Sequence, residues 1–207
     1  MNNYYNNILT LYNVSCIRNN REIFSNLNLT LNAGNVLILQ GPNGSGKSTL
    51  LRLIAGYLKP NSGIMFWNNQ IIKHSYNDIQ TTRIQYISHL DVVKPSLTVF
   101  ENLIFWGKLY NTEYNIFEAL KKLNLINLKN TPASSLSAGQ TKRLALARLI
   151  LFPSPLWLLD EPTTTLDINS LKIFEKLIEE HRNDGGIAII STHLNMNLKN
   201  ATSLKFN

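Results

Sequence analysis

The stretch GPNGSGKS, Gly41 to Ser48, constrains the chain more than any other. It matches G-x-x-x-x-G-K-[ST] and lies between a continuous apolar run, NVLILQ, and a helical pattern from Lys47 to Ala55. The apolar run reads as a buried strand. Leu50, Leu51, Ile54 and Ala55 share one side of the helix, and Gly56 ends it. A strand, a glycine-rich turn and a helix start in that order aim backbone N–H groups at one point, which is an anion cradle. The motif makes Gly41, Pro42, Asn43, Gly44, Ser45, Gly46, Lys47, Ser48 and Thr49 a nucleoside-triphosphate site. Lys47 reaches the β- and γ-phosphates, and the Ser48 hydroxyl ligates Mg²⁺.

Around this unit the pattern alternates. ILTLYNVSC and IFSNLNLTL read as strands, KPNSG as a turn and IMFWNN as a short strand. Thr98 to Tyr110 and Tyr114 to Leu123 have amphipathic helical spacing, and another helix runs from near Ser137 to before Pro153. LWLLD is a buried strand, Asn169 to Arg182 a helix and GIAIIST a final buried strand. Apolar strands that end in polar residues and alternate with helices predict an α/β fold with a mainly parallel sheet. The helical stretch from about 96 to 152 is then inserted at one edge of a single domain of 207 residues, whose core covers about 1–95 and 153–207.

LWLLDEP places two carboxylates at a strand end. Asp160 is suited to hold Mg²⁺ through a water, and Glu161 to orient and deprotonate the attacking water, the two roles a nucleotide hydrolase requires. LSAGQ precedes the helix TKRLALARLIL, with Ser137 placed as its N-cap. A small polar residue and a glycine at a helix start also make an anion site. The phosphate loop already has its own helix, so this second site suggests service to a nucleotide on another copy of the chain.

The net charge of +7 and pI of about 9.5 suit nucleic acid, an anionic membrane face or nucleotides, but the basic residues are scattered. Cys16 is the only cysteine, which excludes an internal disulfide and fits a reducing compartment. The N-terminal MNNYYNN lacks the features of a signal or transit peptide. The most apolar window, Leu144 to Leu159, is interrupted by Arg148, Pro153 and Pro155, so membrane attachment is expected through a partner. Frequent asparagine is read as the mark of an AT-rich genome rather than a structural device.

GPNGSGKS, LSAGQ, LWLLDEP, TTTLD and STH occur in this order, and together they resemble the ATP-binding subunits of ABC transporters over nearly the whole chain. LSAGQ looks like that family's signature. The resemblance implies a P-loop NTPase core with N-terminal antiparallel strands and an inserted helical subdomain. It implies a head-to-tail homodimer in which Ser137, Ala138, Gly139 and Gln140 of one subunit face ATP held by the other. Thr165, Leu166 and Asp167 would lie in the loop joining the subunits, and His193 would be the switch histidine near the γ-phosphate. The cofactors implied are ATP and Mg²⁺.

FSNLNLTLNAGNVLILQGPNGSGKSTLLRLIAG, SHLDVVKPSLTVFENLIFW and LSAGQTKRLALARL are similar to the branch of the family that serves cytochrome c maturation and heme export. That branch implies an integral membrane permease and heme-handling membrane proteins as partners, with no nucleic acid. The chain would sit peripherally on an energy-transducing membrane, on the bacterial cytoplasmic face, or on the mitochondrial matrix face if organelle-encoded. The alternatives are another small transporter, or a soluble ABC ATPase acting on an iron–sulfur scaffold or nucleic acid.

Two positions depart from the family pattern. The aromatic residue expected to stack on adenine is replaced by Arg18, with Tyr12 upstream; a guanidinium can stack on a base. His89 stands where most members carry the glutamine that links the core to the helical lobe, and Leu90 follows it. A neutral imidazole can accept a hydrogen bond or ligate a cation, and a protonated one cannot. His89→Gln is therefore expected to flatten the pH profile of ATP hydrolysis between about pH 6 and 8; an unchanged profile removes the pH role.

Overall fold

The computed structural model describes residues 4–72, 84–88 and 92–206. His89 lies outside the described residues. Two sheets organise the chain. The antiparallel one contains β1 (Ile8–Arg18), β2 (Arg21–Asn32), β4 (Ser62–Trp67) and β5 (Gln70–Ile71) in the order β2-β1-β4-β5. The other has β3 (Val36–Gln40), β6 (Ile84–Ile87), β7 (Leu156–Asp160), β8 (Ile187–Ser191) and β9 (Thr202–Lys205), in the order β6-β7-β8-β3-β9. Every pairing in that second sheet is parallel.

The parallel sheet is apolar on both faces because both are covered. Leu37, Leu39, Leu156, Leu158, Ile187 and Ile189 point to one side. There they meet helix α1 (Lys47–Ile54) and Leu9, Leu11, Met65 and Trp67 of the antiparallel sheet. Val36, Ile38, Trp157, Leu159, Ala188 and Ile190 point to the other side. They meet α2 (Val99–Tyr110), α3 (Ile116–Lys122), α4 (Ala138–Leu146), α5 (Arg148–Leu151) and α6 (Ile168–Asn183). Each fully buried Leu or Ile contributes about 1.5–3 kcal/mol from burial, so central strands with no polar side chain until their last residue are held firmly.

Local signals set the helix ends. Thr98 and Glu101 form a reciprocal capping box at the start of α2. Asp167 caps α6 by accepting from the Ser170 N–H at 2.7 Å, which holds its carboxylate below the usual range. The expected single helix before Pro153 is two, α4 and α5, because the turn tightens at Ala147: its N–H is shared between the carbonyls of Arg143 and Leu144, each 3.1 Å away. Two expectations are corrected. IMFWNN stops being strand at Trp67, since Asn68 and Asn69 take positive φ and turn the chain into β5. GIAIIST is not the final strand, because β9 follows and pairs with β3.

Asparagine also has a structural use that its composition concealed. Nine of the eleven non-glycine residues with positive φ among the described ones are asparagines. Asn19 and Asn20 form the two-residue turn between β1 and β2, where the twist of a hairpin demands left-handed conformations that asparagine tolerates best after glycine.

His181 is a buried titratable group of the helical layer. Its ring stacks on Trp157 with centroids 3.7 Å apart and planes 4° from parallel. It lies 3.2 Å from the Ile187 carbonyl. Burial pushes its pKa down from 6.5 to about 4, against the smaller upward pull of that carbonyl. The unfolded chain therefore binds the extra proton first. The stabilisation is complete above about pH 6.5 and is lost as pH falls through about 4, with a magnitude of about 3 kcal/mol. In urea unfolding compared at about pH 7.5 and about pH 4.5, His181→Phe is expected to lose much less stability on acidification than the parent.

Candidate functional site

The carboxyl ends of β3, β7 and β8 lie side by side, so whatever follows each strand meets at one edge of the sheet. After β3 comes the phosphate loop. Gly41, Gly44 and Gly46 have φ of 144°, 78° and 112°, conformations that side-chain-bearing residues rarely adopt. Lys47 is buried and turned back along the loop, its Nζ donating to the Gly41 and Pro42 carbonyls at 2.8 and 2.9 Å. An ammonium has three protons, so one remains for a phosphate oxygen. Ser45 Oγ is buried inside the loop with no hydrogen-bond partner, a donor that a phosphate oxygen satisfies.

After β7 come the carboxylates. Asp160 is buried, with Oδ1 accepting from Ser48 Oγ and from Ser191 Oγ, both at 2.8 Å. Tyr86 on β6 donates to Oδ2 at 3.3 Å. Burial raises the Tyr86 pKa, with the nearby Asp160 carboxylate adding to it and a hydrogen bond from Arg52 opposing. Glu161 has φ 51°, unusual for a residue with a side chain. Its N–H is held by the Ser191 carbonyl at 3.1 Å and by Ser191 Oγ at 2.9 Å. That backbone turn separates the two carboxylates: Asp160 stays in the sheet, and Glu161 swings toward His193. After β8, His193 Nε2 lies 3.4 Å from Glu161 Oε1 and donates to Asn43 Oδ1 of the phosphate loop at 2.9 Å. Thr163 and Thr192 share a buried hydroxyl hydrogen bond of 2.7 Å that ties the two strand ends together.

A hydroxyl and a carboxylate 2.8 Å apart beside a phosphate cradle are hard oxygen donors, the set Mg²⁺ takes when phosphates and water complete its shell. Ser48 and Asp160 thus fit the ion.

Other predicted residues stand apart from this cluster. Ser137 is the exposed N-cap of α4, with its own capping box to Gln140. Ala138 is exposed beside it, and Gly139 packs on the loop between β7 and α6, where an added Cβ would lie 3.3 Å from the Thr165 carbonyl oxygen. Thr165 itself has φ 69°, a conformation strained for a β-branched residue. Leu166 donates its N–H back to the Thr163 carbonyl at 3.2 Å, closing that loop onto the strand end. Arg18 and Tyr12 are exposed on β1, with Arg18 at the hairpin tip opposite Arg21.

Three contributors escaped the sequence reading. Ser191 was visible only as the first letter of STH, yet it organises both carboxylates. Ile23 of β2 and Phe206 after β9 brace the phosphate loop: a Cβ on Gly46 would strike Ile23, and one on Gly41 would strike the Phe206 carbonyl. Phe206 in turn packs edge-on against Phe24, with centroids 6.0 Å apart. Both braces are distant in sequence, and only an expected clash at a glycine reveals them.

A phosphate loop, paired carboxylates and a histidine at the edge of a parallel sheet, with a separate capped signature helix, define the ATP-hydrolysing cassette of a transporter. A family model described as "ABC transporter" matches residues 24–164, and the chain belongs to that family. The protein is similar to "Cytochrome c biogenesis ATP-binding export protein CcmA" of Paramagnetospirillum magneticum, 45% identical over 93% of this chain and 90% of that one. A protein of that name from Reclinomonas americana is 40% identical over 96% of this chain and 90% of its own. "ABC transporter I family member 1" of Arabidopsis thaliana is 41% identical over 95% and 86%. Among solved structures, a putative ABC transporter ATP-binding protein from Pyrococcus furiosus superimposes with a TM-score of 0.81 at 24% identity over 96% of this chain and 97% of that one, which is a likeness of fold.

Ser191→Ala leaves Asp160 Oδ1 with one donor and the Glu161 N–H without its hydroxyl partner. It is expected to cost about 1–3 kcal/mol in chemical unfolding, and to lower ATP turnover more than ATP binding.

Proposed function

We propose that this chain is the ATP-hydrolysing subunit of an ABC transporter complex in cytochrome c-type biogenesis, energising heme export or release of a heme-loaded chaperone. The convergence of Lys47, Ser48, Asp160, Glu161 and His193 at one sheet edge carries the hydrolytic part. The 40–45% identity to CcmA proteins over nearly the whole chain supports the cytochrome c part.

In this reading Gly41 to Thr49 wrap the phosphates, and Lys47 donates its remaining hydrogen bond to a phosphate oxygen. Ser48 holds Mg²⁺ directly, and Asp160 holds it through water. When bound, the ion neutralises developing charge on the β- and γ-oxygens. Glu161 lies beside the γ-phosphate position and accepts a proton from the attacking water. His193 spans Glu161 and Asn43, so it senses the γ-phosphate from the loop side. Arg18, with Tyr12 further upstream on the same strand, offers a guanidinium face to adenine.

Ser137 to Gln140 close over the nucleotide of a second copy; the exposure of Ser137 and Ala138 supports that arrangement, and Thr165 to Asp167 would line the seam. His89 couples the nucleotide to the helical lobe, residues about 96–152. Among the described residues no helix is long and apolar enough to cross a membrane, so an integral permease would tether the dimer, on the matrix or cytoplasmic face. Heme-handling membrane proteins complete the partners.

Glu161→Gln is expected to abolish turnover and to accumulate an ATP-bound dimer in size-exclusion chromatography, whereas Lys47→Ala loses ATP binding itself. A Glu161→Gln protein that hydrolyses normally would remove the assignment. Purification of the tagged chain from native membranes should bring an integral membrane protein with it; salt-sensitive DNA binding instead would remove the transporter role.

A further inference from the structure

Asp160 is held by three donors, and Tyr86 is the one that no catalytic motif contains. Tyr86 lies on β6 opposite Leu158 of β7, so its side chain stands beside the end of the strand that delivers Asp160. Its hydroxyl reaches Asp160 Oδ2 at 3.3 Å. Ser48 and Ser191 both bond the other oxygen, Oδ1. The phenol is fixed in turn: the Tyr57 ring packs edge-on with centroids 5.6 Å apart, and the Arg52 guanidinium lies beside its oxygen.

The geometry gives each contact a distinct consequence. Two donors on one carboxylate oxygen leave the group free to swing about that oxygen, and a third donor on the other oxygen removes the freedom. Arg52 is one turn beyond Ser48 on α1, so the same helix face reaches Asp160 twice, through Ser48 on Oδ1 and through Tyr86 on Oδ2. A guanidinium beside the phenol oxygen also polarises its O–H and strengthens the bond it donates onward. Carboxylates that hold a metal depend on such outer partners for orientation.

We propose that Tyr86 is a positioning residue for Mg²⁺-nucleotide binding, orienting the Asp160 carboxylate from the side opposite Ser48, with Arg52 holding the phenol in place. The proposal rests on the reading of Asp160 as the carboxylate that holds Mg²⁺. Tyr86→Phe keeps the ring and its contact with Tyr57 and removes only the hydroxyl.

The test is titration of a fluorescent ATP analogue against the full chain, once with Mg²⁺ and once with EDTA. Tyr86→Phe is expected to weaken Mg²⁺-dependent binding about tenfold and to leave the EDTA affinity unchanged. Unchanged binding in Mg²⁺, or an equal loss in both conditions, overturns the proposal, the latter because the hydroxyl would then only support the fold. Arg52→Ala should weaken Mg²⁺-dependent binding in the parent but add nothing in the Tyr86→Phe background; additive losses overturn the role of Arg52. Asp160→Asn separates the two levels. If it keeps the Mg²⁺ advantage, the reading of Asp160 is wrong. If it loses that advantage while Tyr86→Phe does not, only the inference about Tyr86 fails.

Discussion

The buried carboxylate of Asp160 makes three distant pieces of chain into one site. Ser48 begins the helix after the phosphate loop, Ser191 ends β8 and Tyr86 sits on β6, and all three donate to it. An ionised carboxylate under a closed sheet costs several kcal/mol unless its oxygens are bonded. The order β6-β7-β8-β3 is what brings those donors within reach, because it puts the carboxyl ends of the strands beside one another. Ser191 spends its hydroxyl twice, donating to Asp160 and accepting from the Glu161 N–H. One hydroxyl therefore holds the Asp160 carboxylate and the Glu161 backbone, although the two side chains face different ways.

The phosphate loop needs an outer wall as well as a turn. Glycine lets Gly41 and Gly46 take positive φ, and the space a side chain would need is already filled by Phe206 and Ile23. Phe206 is carried by β9 and Ile23 by β2, so both sheets bear on the loop. Substitution of either glycine meets conformational strain and a neighbour at once.

On the opposite face, the helical layer shares one apolar core with the parallel sheet. The Trp157–His181 stack pins α6 to β7, and Lys122 of α3 bonds Glu180 of α6 at 2.8 Å. Asp167 at the start of α6 caps the helix just after the loop that touches Gly139. The loop that carries Thr165 is thus strung between the end of β7 and a capped helix, and its strained Thr165 is over-determined from both sides.

Much of this was legible along the chain. GPNGSGKS between an apolar strand and a helix, two carboxylates ending LWLLD, and the Ser137 cap are local patterns, written by short-range sterics and hydrogen bonding. The central strands were legible because burial on both faces leaves an unbroken apolar run. The edge strand β9 was not, because it pairs on one side only and three of its four residues are polar. The asparagine turns were hidden because composition does not reveal φ. The sequence by itself determined which groups meet at the edge of the sheet: the phosphate loop, Asp160, Glu161 and His193. Only the tertiary structure decided what holds them, namely Ser191 and Tyr86 on the carboxylate, and Phe206 and Ile23 on the loop. Those contacts join residues 23 to 165 positions apart, and their partners are set by strand order and register, which no local pattern encodes.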